Sequence, residues 1–384
     1  MPQKPDTNAI TAGRDDSRSL SPAIWPNSVW ESDSLADATK RATGLRSETF
    51  YSRFSNPTVV QFENAVAELE GAESALAFGS GMGAIASVIL SFCGNGSHIV
   101  AQNNLYGATL SFLQGPCARF GIETTFVDPS VPGSFAAAVI PGKTMLVIAE
   151  TPSNPRLAIT NLAELGAIRG PFTVVDSTLA TPMGQRPLDF GIDIVLHSAT
   201  KYLGGHSDIL AGAIASSSSK IEKIIESSIN YGGNLSEYTV WLLERSIKTL
   251  SLRVKAQNEN ALKIAKFLNN NDSVESVYYP GLETHPQHEL AKTQMKGFGG
   301  MLSFVLKKED KAADFTRLLK LIKPVMSLGG VESTICSPSL TSHSKISKEQ
   351  RKIYGISDGL LRFSVGIEDY IDIENDLTQA FNSL

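Results

Sequence analysis

The sequence predicts an α/β protein, with a mainly parallel sheet in a large unit followed by a smaller α+β unit. Three observations carry that prediction. Short apolar runs alternate with helical stretches from about residue 58 to residue 216. Several of those runs lack polar alternation, which is how strands read when helices cover both faces of their sheet. After about Ser246 the order changes to fewer strands separated by long helices, and 384 residues are too many for one compact core.

Taken in order, the first fifty residues show no sustained periodicity and contain Pro22 and Pro26, so they read as an extended arm with one short helix. Such an arm either packs on a neighbouring subunit or hangs free. Phe62, Val66 and Leu69 then recur at helical spacing, with Thr58 as the expected N-cap and Gly71 as the stop. The runs ALAF, HIVAQ, TMLVIAE, FTVVDS, IDIVLHS and AGAIAS follow as strands. A long helical segment, SIKTLSLRVKAQNENALKIAKFL, opens the second unit. VESVYY, GGMLSFVL, a helix near 312–322 and LLRFSVGIE complete it. The expected division is an arm at 1–50, a large domain at 51–245 and an α+β domain at 246–384.

Composition narrows the function classes. Net charge is −5, and Lys and Arg are scattered, so the basic stripe that nucleic acid or an anionic membrane demands is missing. The three cysteines, Cys93, Cys117 and Cys336, have no CxxC spacing; they read as buried small hydrophobes in a reducing compartment. His197 and His206 are not spaced for zinc with any of them, so no metal site is expected. The N-terminal segment lacks the apolar core of a signal peptide and carries Asp6, Asp15 and Asp16, which transit peptides avoid. With no apolar run approaching the roughly 20 residues of a membrane span, the expected location is the cytoplasm.

Five features carry chemistry. In IDIVLHSATKYLGGHSD a buried strand ends and Lys201 stands where it opens into a Gly-rich loop. Ligands collect beyond the carboxyl ends of parallel strands, and a partly desolvated lysine there can form an imine with a carbonyl cofactor. Ser198 and Thr200 offer hydroxyls to a phosphate; a surface lysine is the plain alternative. Asp176, ending FTVVD, can pair with a protonated pyridine nitrogen or simply cap the next turn. Gly79, Gly81 and Gly83 open a helix whose free N–H groups suit a phosphate, or serve close packing. Tyr106 can stack on an aromatic cofactor or fill the core. Arg362 interrupts an apolar strand and needs an anion, whether a substrate α-carboxylate or a structural ion pair.

These features fall in a recognisable order. FYSRFSNPT, FGSGMGA, LYG, ETPSNP, VVDST, HSATKYLGGHSD, YPGLETHPQH, SLGGVES and LRFSVGIE together closely resemble the Cys/Met-metabolism family of pyridoxal-phosphate enzymes. Its members include cystathionine γ-synthase, cystathionine γ-lyase, cystathionine β-lyase and methionine γ-lyase. The resemblance runs from about Ser21 to the C-terminus. It implies the aspartate-aminotransferase-like fold (fold type I), with a seven-stranded type of mainly parallel sheet. It also implies pyridoxal 5'-phosphate as cofactor, with Lys201 as the Schiff-base lysine, Asp176 as the pyridinium partner and Tyr106 stacked on the ring. Gly81, Met82, Ser198 and Thr200 are implied to hold the phosphate, and Tyr51 and Arg53 to reach it from a neighbouring subunit of a homodimer or homotetramer. Asn154, Ser327 and Arg362 correspond to positions that orient the substrate carboxylate and the cofactor ring.

The reaction is less determined, because one catalytic core supports β-elimination, γ-elimination and replacement. Glu332 in SLGGVES stands where γ-acting relatives carry a glutamate, which favours Cγ of cystathionine or an activated homoserine. Two positions depart from the family pattern. Ser111 replaces an arginine of several cystathionine-handling relatives, and Ala108 replaces the cysteine of methionine γ-lyases. The expected partner is thus a small amino-acid substrate, with no nucleic acid and no membrane. A β-lyase or methionine γ-lyase is the nearest alternative, and an aminotransferase or an idle scaffold the more distant ones.

Overall fold

The computed structural model describes residues 3–14, 19–341, 351 and 355–384. Two sheets organise the chain. The larger contains β1 (Ser74–Phe78), β2 (His98–Gln102), β3 (Glu123–Val127), β4 (Thr144–Glu150), β5 (Phe172–Asp176), β6 (Ile194–His197) and β7 (Gly212–Ser216). They lie in the order β1-β7-β6-β5-β4-β2-β3. Only β7 runs against its neighbours, β1 and β6. The smaller sheet contains β8 (Val274–Tyr278), β9 (Met301–Leu306), β10 (Lys323–Pro324), β11 (Thr334–Cys336) and β12 (Leu360–Ser364), ordered β10-β11-β12-β9-β8. This is the expected α/β architecture with a smaller α+β part.

The unbroken apolar strands are explained by burial on both faces. Ile99, Leu146, Ile148, Val174, Ile194 and Leu196 enter one core, which also holds Val88 and Ile89 of a covering helix. Their neighbours Val100, Val147, Ala149 and Val175 enter another core on the opposite face, with Leu162 and Leu165. A fully buried Val or Ile contributes about 1.5–3 kcal/mol, so alternate residues of one strand hold both layers in place. β3 was not expected, and its composition says why. Glu123, Thr124 and Thr125 make a polar edge strand that pairs with β2 alone.

Other boundaries differ from expectation for local reasons. The arm carries two helices, α1 (Pro5–Thr11) and α2 (Leu35–Thr43), where one was expected. The next helix, α3 (Pro57–Glu70), is capped by Asn56, whose side chain accepts from the Thr58 N–H; Pro57 fills the first turn, so Thr58 is not the cap. Gly71 ends it in a left-handed conformation, φ 68°. The long segment at 246–268 opens inside one helix (Glu237–Ile247) and continues in another (Leu250–Asn269), because the Thr249 hydroxyl takes the Ser246 carbonyl and the backbone breaks there. The helix expected at 312–322 stops at Leu318. Beyond it the N–H groups of Lys320, Leu321 and Ile322 all turn to the Asp376 carboxylate, at 2.8–2.9 Å. All three cysteines are buried and free. Burial pushes the Cys93 and Cys117 thiols up to about 12 and about 11, far from reactive thiolates. Among the described residues no helix is long and apolar enough to cross a membrane.

Candidate active site

Because β1, β2, β4, β5 and β6 point the same way, their carboxyl ends share one edge, and the chemistry-bearing residues gather there. A connected path of contacts runs through them. It starts at α4 (Gly81–Phe92), whose cap Ser80 takes the Gly83 N–H at 3.0 Å. The Gly81 and Met82 N–H groups are the first-turn donors that Ser80 leaves. Here the glycine is required by close approach: a Cβ on Gly81 would stand 3.0 Å from Ser198 Cβ and 3.1 Å from its Cα. Ser198 in turn donates its N–H to the Thr178 hydroxyl at 2.8 Å.

Thr178 then fixes Asp176. Its N–H and hydroxyl both donate to Asp176 Oδ1, at 3.0 and 2.5 Å, which keeps Oδ2 clear of these two bonds. Burial raises the Asp176 pKa, opposed by the Thr178 bonds and by the His197 imidazole. His197 ends β6 and lies 2.5 Å, Nε2 to Oε1, from Glu70; both are fully buried. Beside Asp176, in register on β4, lies Glu150. Its carboxyl accepts the Tyr106 N–H at 2.6 Å and the Asn154 N–H at 2.9 Å.

From Asn154 the path crosses to the smaller sheet. Arg362 Nη1 donates to Asn154 Oδ1 at 3.3 Å, and Nη2 donates to the carbonyls of Met326 and Ser327 at 2.5 and 3.4 Å. These partners are neutral, and among the described residues no carboxylate pairs with this buried guanidinium. That disfavours the structural ion pair and leaves a cation that calls for an anion. The Ser327 hydroxyl accepts from Lys201 Nζ at 3.0 Å. Burial first, and the Arg362 charge second, hold the Lys201 amine below its ordinary range, towards the neutral, nucleophilic form.

The structure thus joins Lys201, Asp176, Asn154, Ser198, Gly81, Ser327 and Arg362, and sets Tyr106 at the same edge. Tyr106 is 45% exposed, so it does not fill the core. Thr200 is at the edge too, but its hydroxyl donates to Ala211 O at 3.2 Å and accepts from Ala211 N at 2.9 Å. Tyr51, Arg53 and Glu332 also stay outside the path. Arg53 donates to Ile229 O at 3.1 Å and lies over the Tyr51 and Phe54 rings of its own chain. Glu332 is exposed, close to Ser207: a Cβ on Gly330 would meet Ser207 Oγ at 2.9 Å and Glu332 Oε2 at 3.0 Å. Ser111 bonds back to Gly107 O at 2.9 Å within its own helix. Glu150 and Thr178 were not singled out in the sequence, although Glu150 carried the same signal as Asp176, an acid ending an apolar strand.

This donor set fits pyridoxal phosphate. It offers a glycine-opened helix N-terminus beside a serine for the phosphate, and an amine held below its ordinary range for the aldehyde. A carboxyl oxygen is left for the ring nitrogen, and an exposed aromatic for the ring face. Comparison with known proteins agrees. The family described as "Cys/Met metabolism PLP-dependent enzyme" matches residues 6–382. The chain is 46% identical over 338 residues to a cystathionine gamma-lyase of Bacillus subtilis (strain 168), covering 87% of this chain and 89% of that protein. It is 43% identical over 343 residues to a cystathionine beta-lyase of Lactococcus lactis subsp. cremoris (strain MG1363), covering 88% and 89%. The solved structure of cystathionine gamma-lyase from Lactobacillus plantarum complexed with L-serine superposes with a TM-score of 0.93 at 36% identity, covering 99% of each chain.

Proposed function

The chain belongs to the Cys/Met-metabolism family of pyridoxal-phosphate-dependent enzymes, and from that premise we propose that it acts at Cγ of cystathionine or of an activated homoserine. Bound pyridoxal phosphate supplies an electron sink that acidifies the substrate Cα–H. The residues of this chain do the rest. With the cofactor bound, Lys201 would hold its aldehyde carbon and would serve as the base for the Cα proton, its amine directed by the Ser327 hydroxyl. Asp176 would hold the proton on the ring nitrogen of the bound cofactor. Arg362, otherwise without a described anionic partner, takes the substrate α-carboxylate in a two-point contact. Tyr106 would support the ring face, and Gly81, Met82 and Ser198 would receive the phosphate.

The observation that carries the choice of Cγ is Glu332. Leaving from Cγ needs a second proton removed at Cβ, which β-elimination does not. Glu332 follows Val331, whose N–H donates to Gly205 O at 3.0 Å in the loop after Lys201, and a glutamate at this place is what the resemblance implies for γ-acting relatives. The likeness to a protein named cystathionine gamma-lyase supports this, and the 43% likeness to one named beta-lyase supports the rival. Ser111 also leaves the distal end of cystathionine without the expected cation. A substrate panel scored by product tests the choice. We expect 2-oxobutyrate from cystathionine, or cystathionine from an activated homoserine and cysteine. Pyruvate as the main product from cystathionine refutes it.

The same reading makes the active unit at least a dimer, and a homotetramer by analogy with the family, with Tyr51 and Arg53 serving a neighbour's phosphate. Its support is the uncovered arm. No residue of α2 is buried, Leu35 is 88% exposed, and Trp25, Val29 and Leu45 are half-exposed or more. Arg53→Ala should therefore weaken cofactor binding. Mixing it with a Lys201→Ala chain should restore activity in hybrid sites, read as turnover of the mixed oligomer against either parent. No recovery in a mixture shown to exchange subunits counts against the shared site.

A further inference from the structure

We propose that Glu150 is a positioning residue that clamps the two loops flanking the cofactor, and so sets Tyr106 and Asn154 at the spacing the site needs. This rests on the reading that Lys201 and Asp176 hold that cofactor. Glu150 is 5% exposed at the end of β4. One carboxyl oxygen, Oε2, accepts the Tyr106 N–H at 2.6 Å, in the loop that leaves β2. The other, Oε1, accepts the Asn154 N–H at 2.9 Å, in the loop that leaves β4 itself. A single side chain thus ties the aromatic platform to the amide that carries Arg362. The two loops are strapped again where Asn104 Nδ2 donates to Ser153 Oγ at 3.0 Å. Gln102 steadies the base of the clamp, donating to Glu150 O at 3.1 Å and accepting from Glu150 N at 3.2 Å.

The residue type is informative because it is costly. Glu150 lies in register with Asp176, and two buried carboxyl groups side by side resist ionising together. Burial, and then the Asp176 charge, push the Glu150 pKa up to about 8. A glutamine would remove that conflict, yet it has one acceptor oxygen and its NH2 would face a backbone N–H. A carboxyl group accepts from both. The spacing of two loops, rather than a charge at this point, is what the glutamate uniquely supplies.

The test uses the cofactor-loaded enzyme. Glu150→Gln is expected to retain covalently bound cofactor but to change the visible circular dichroism of that cofactor, which reports its tilt against the protein. Its kcat should fall by on the order of 100-fold, the cost of a misplacement of about 1 Å, with KM moved much less. Glu150→Asp keeps the carboxyl group but shortens the reach, and should show the same defect. Wild-type dichroism and kcat in Glu150→Gln overturn the proposal, and so does full recovery in Glu150→Asp. Should Glu150→Gln not fold, hydrogen exchange of the wild-type holoenzyme decides: slow exchange at both Tyr106 and Asn154 amides supports the clamp, and fast exchange at either overturns it. Lys201→Ala run in parallel separates the two readings, because a covalent chromophore surviving there sinks the cofactor assignment itself.

Discussion

Lys201→Ala should lose turnover by on the order of 10⁴-fold, the upper range for removal of a general base, because the same amine is also the covalent anchor. The visible absorption of the lysine-linked cofactor should vanish with it, while the Gly81–Ser198 cradle still retains some cofactor non-covalently. The effect should not come from unfolding. Lys201 Nζ donates to Ser327, its amine is held below its ordinary range by burial and by Arg362, and among the described residues no carboxylate pairs with it. Removing a poorly compensated cation of this kind should leave thermal stability of the apoprotein unchanged or raised, a trade between activity and stability that is common at strained sites. Near-normal turnover, or a clear fall in apoprotein melting temperature that accounts for the lost activity, would contradict the assignment.

Asp176→Asn is expected to have the second-largest effect. The amide oxygen can still accept from the Thr178 N–H and hydroxyl, now 3.0 and 2.5 Å from Asp176 Oδ1, so the strand end should keep its geometry. What disappears is the carboxylate that, on the proposed reading, would face the ring nitrogen. The reaction would then lose preorganised electrostatic stabilisation, and kcat should drop by on the order of 100- to 1,000-fold. Glu150 does not replace that charge, because both of its carboxyl oxygens are committed to the Tyr106 and Asn154 amides. Steady-state kinetics on fully loaded enzyme checks the prediction. A kcat close to wild type would mean that the ring nitrogen is held by some other group.

Much of the fold was legible because its strands are buried on both faces and its motifs are local. The six apolar runs between residues 75 and 216 are six of the seven strands of the larger sheet. β3 escaped because an edge strand has one covered face at most, and Glu123-Thr124-Thr125 carries no apolar run to read. The Asn56 cap and the end of the helix at Leu318 escaped for a different reason. The first depends on Pro57 taking the opening turn, and the second on Asp376, distant in sequence, collecting three N–H groups. In the site, Lys201, Asp176 and Arg362 each stood at a strand end or inside a strand where a charge is conspicuous. Glu150 stood in the same kind of place and was passed over, because its work is done on backbone N–H groups that leave no trace in residue identity.

The sequence by itself determined the family and the class of cofactor it serves, and it singled out candidate side chains, since amine, carboxylate and guanidinium types are written in the residues. It also determined six of the seven strands of the larger sheet, since apolar strands have few ways to hide both faces. Only the tertiary structure decided the links between them: Lys201 to Ser327, Asn154 to Arg362, Glu150 to two loops at once. Each link joins groups 44 to 208 positions apart, or hangs on an atom-level choice of acceptor, and such choices are made when whole layers pack and every buried donor must find its partner.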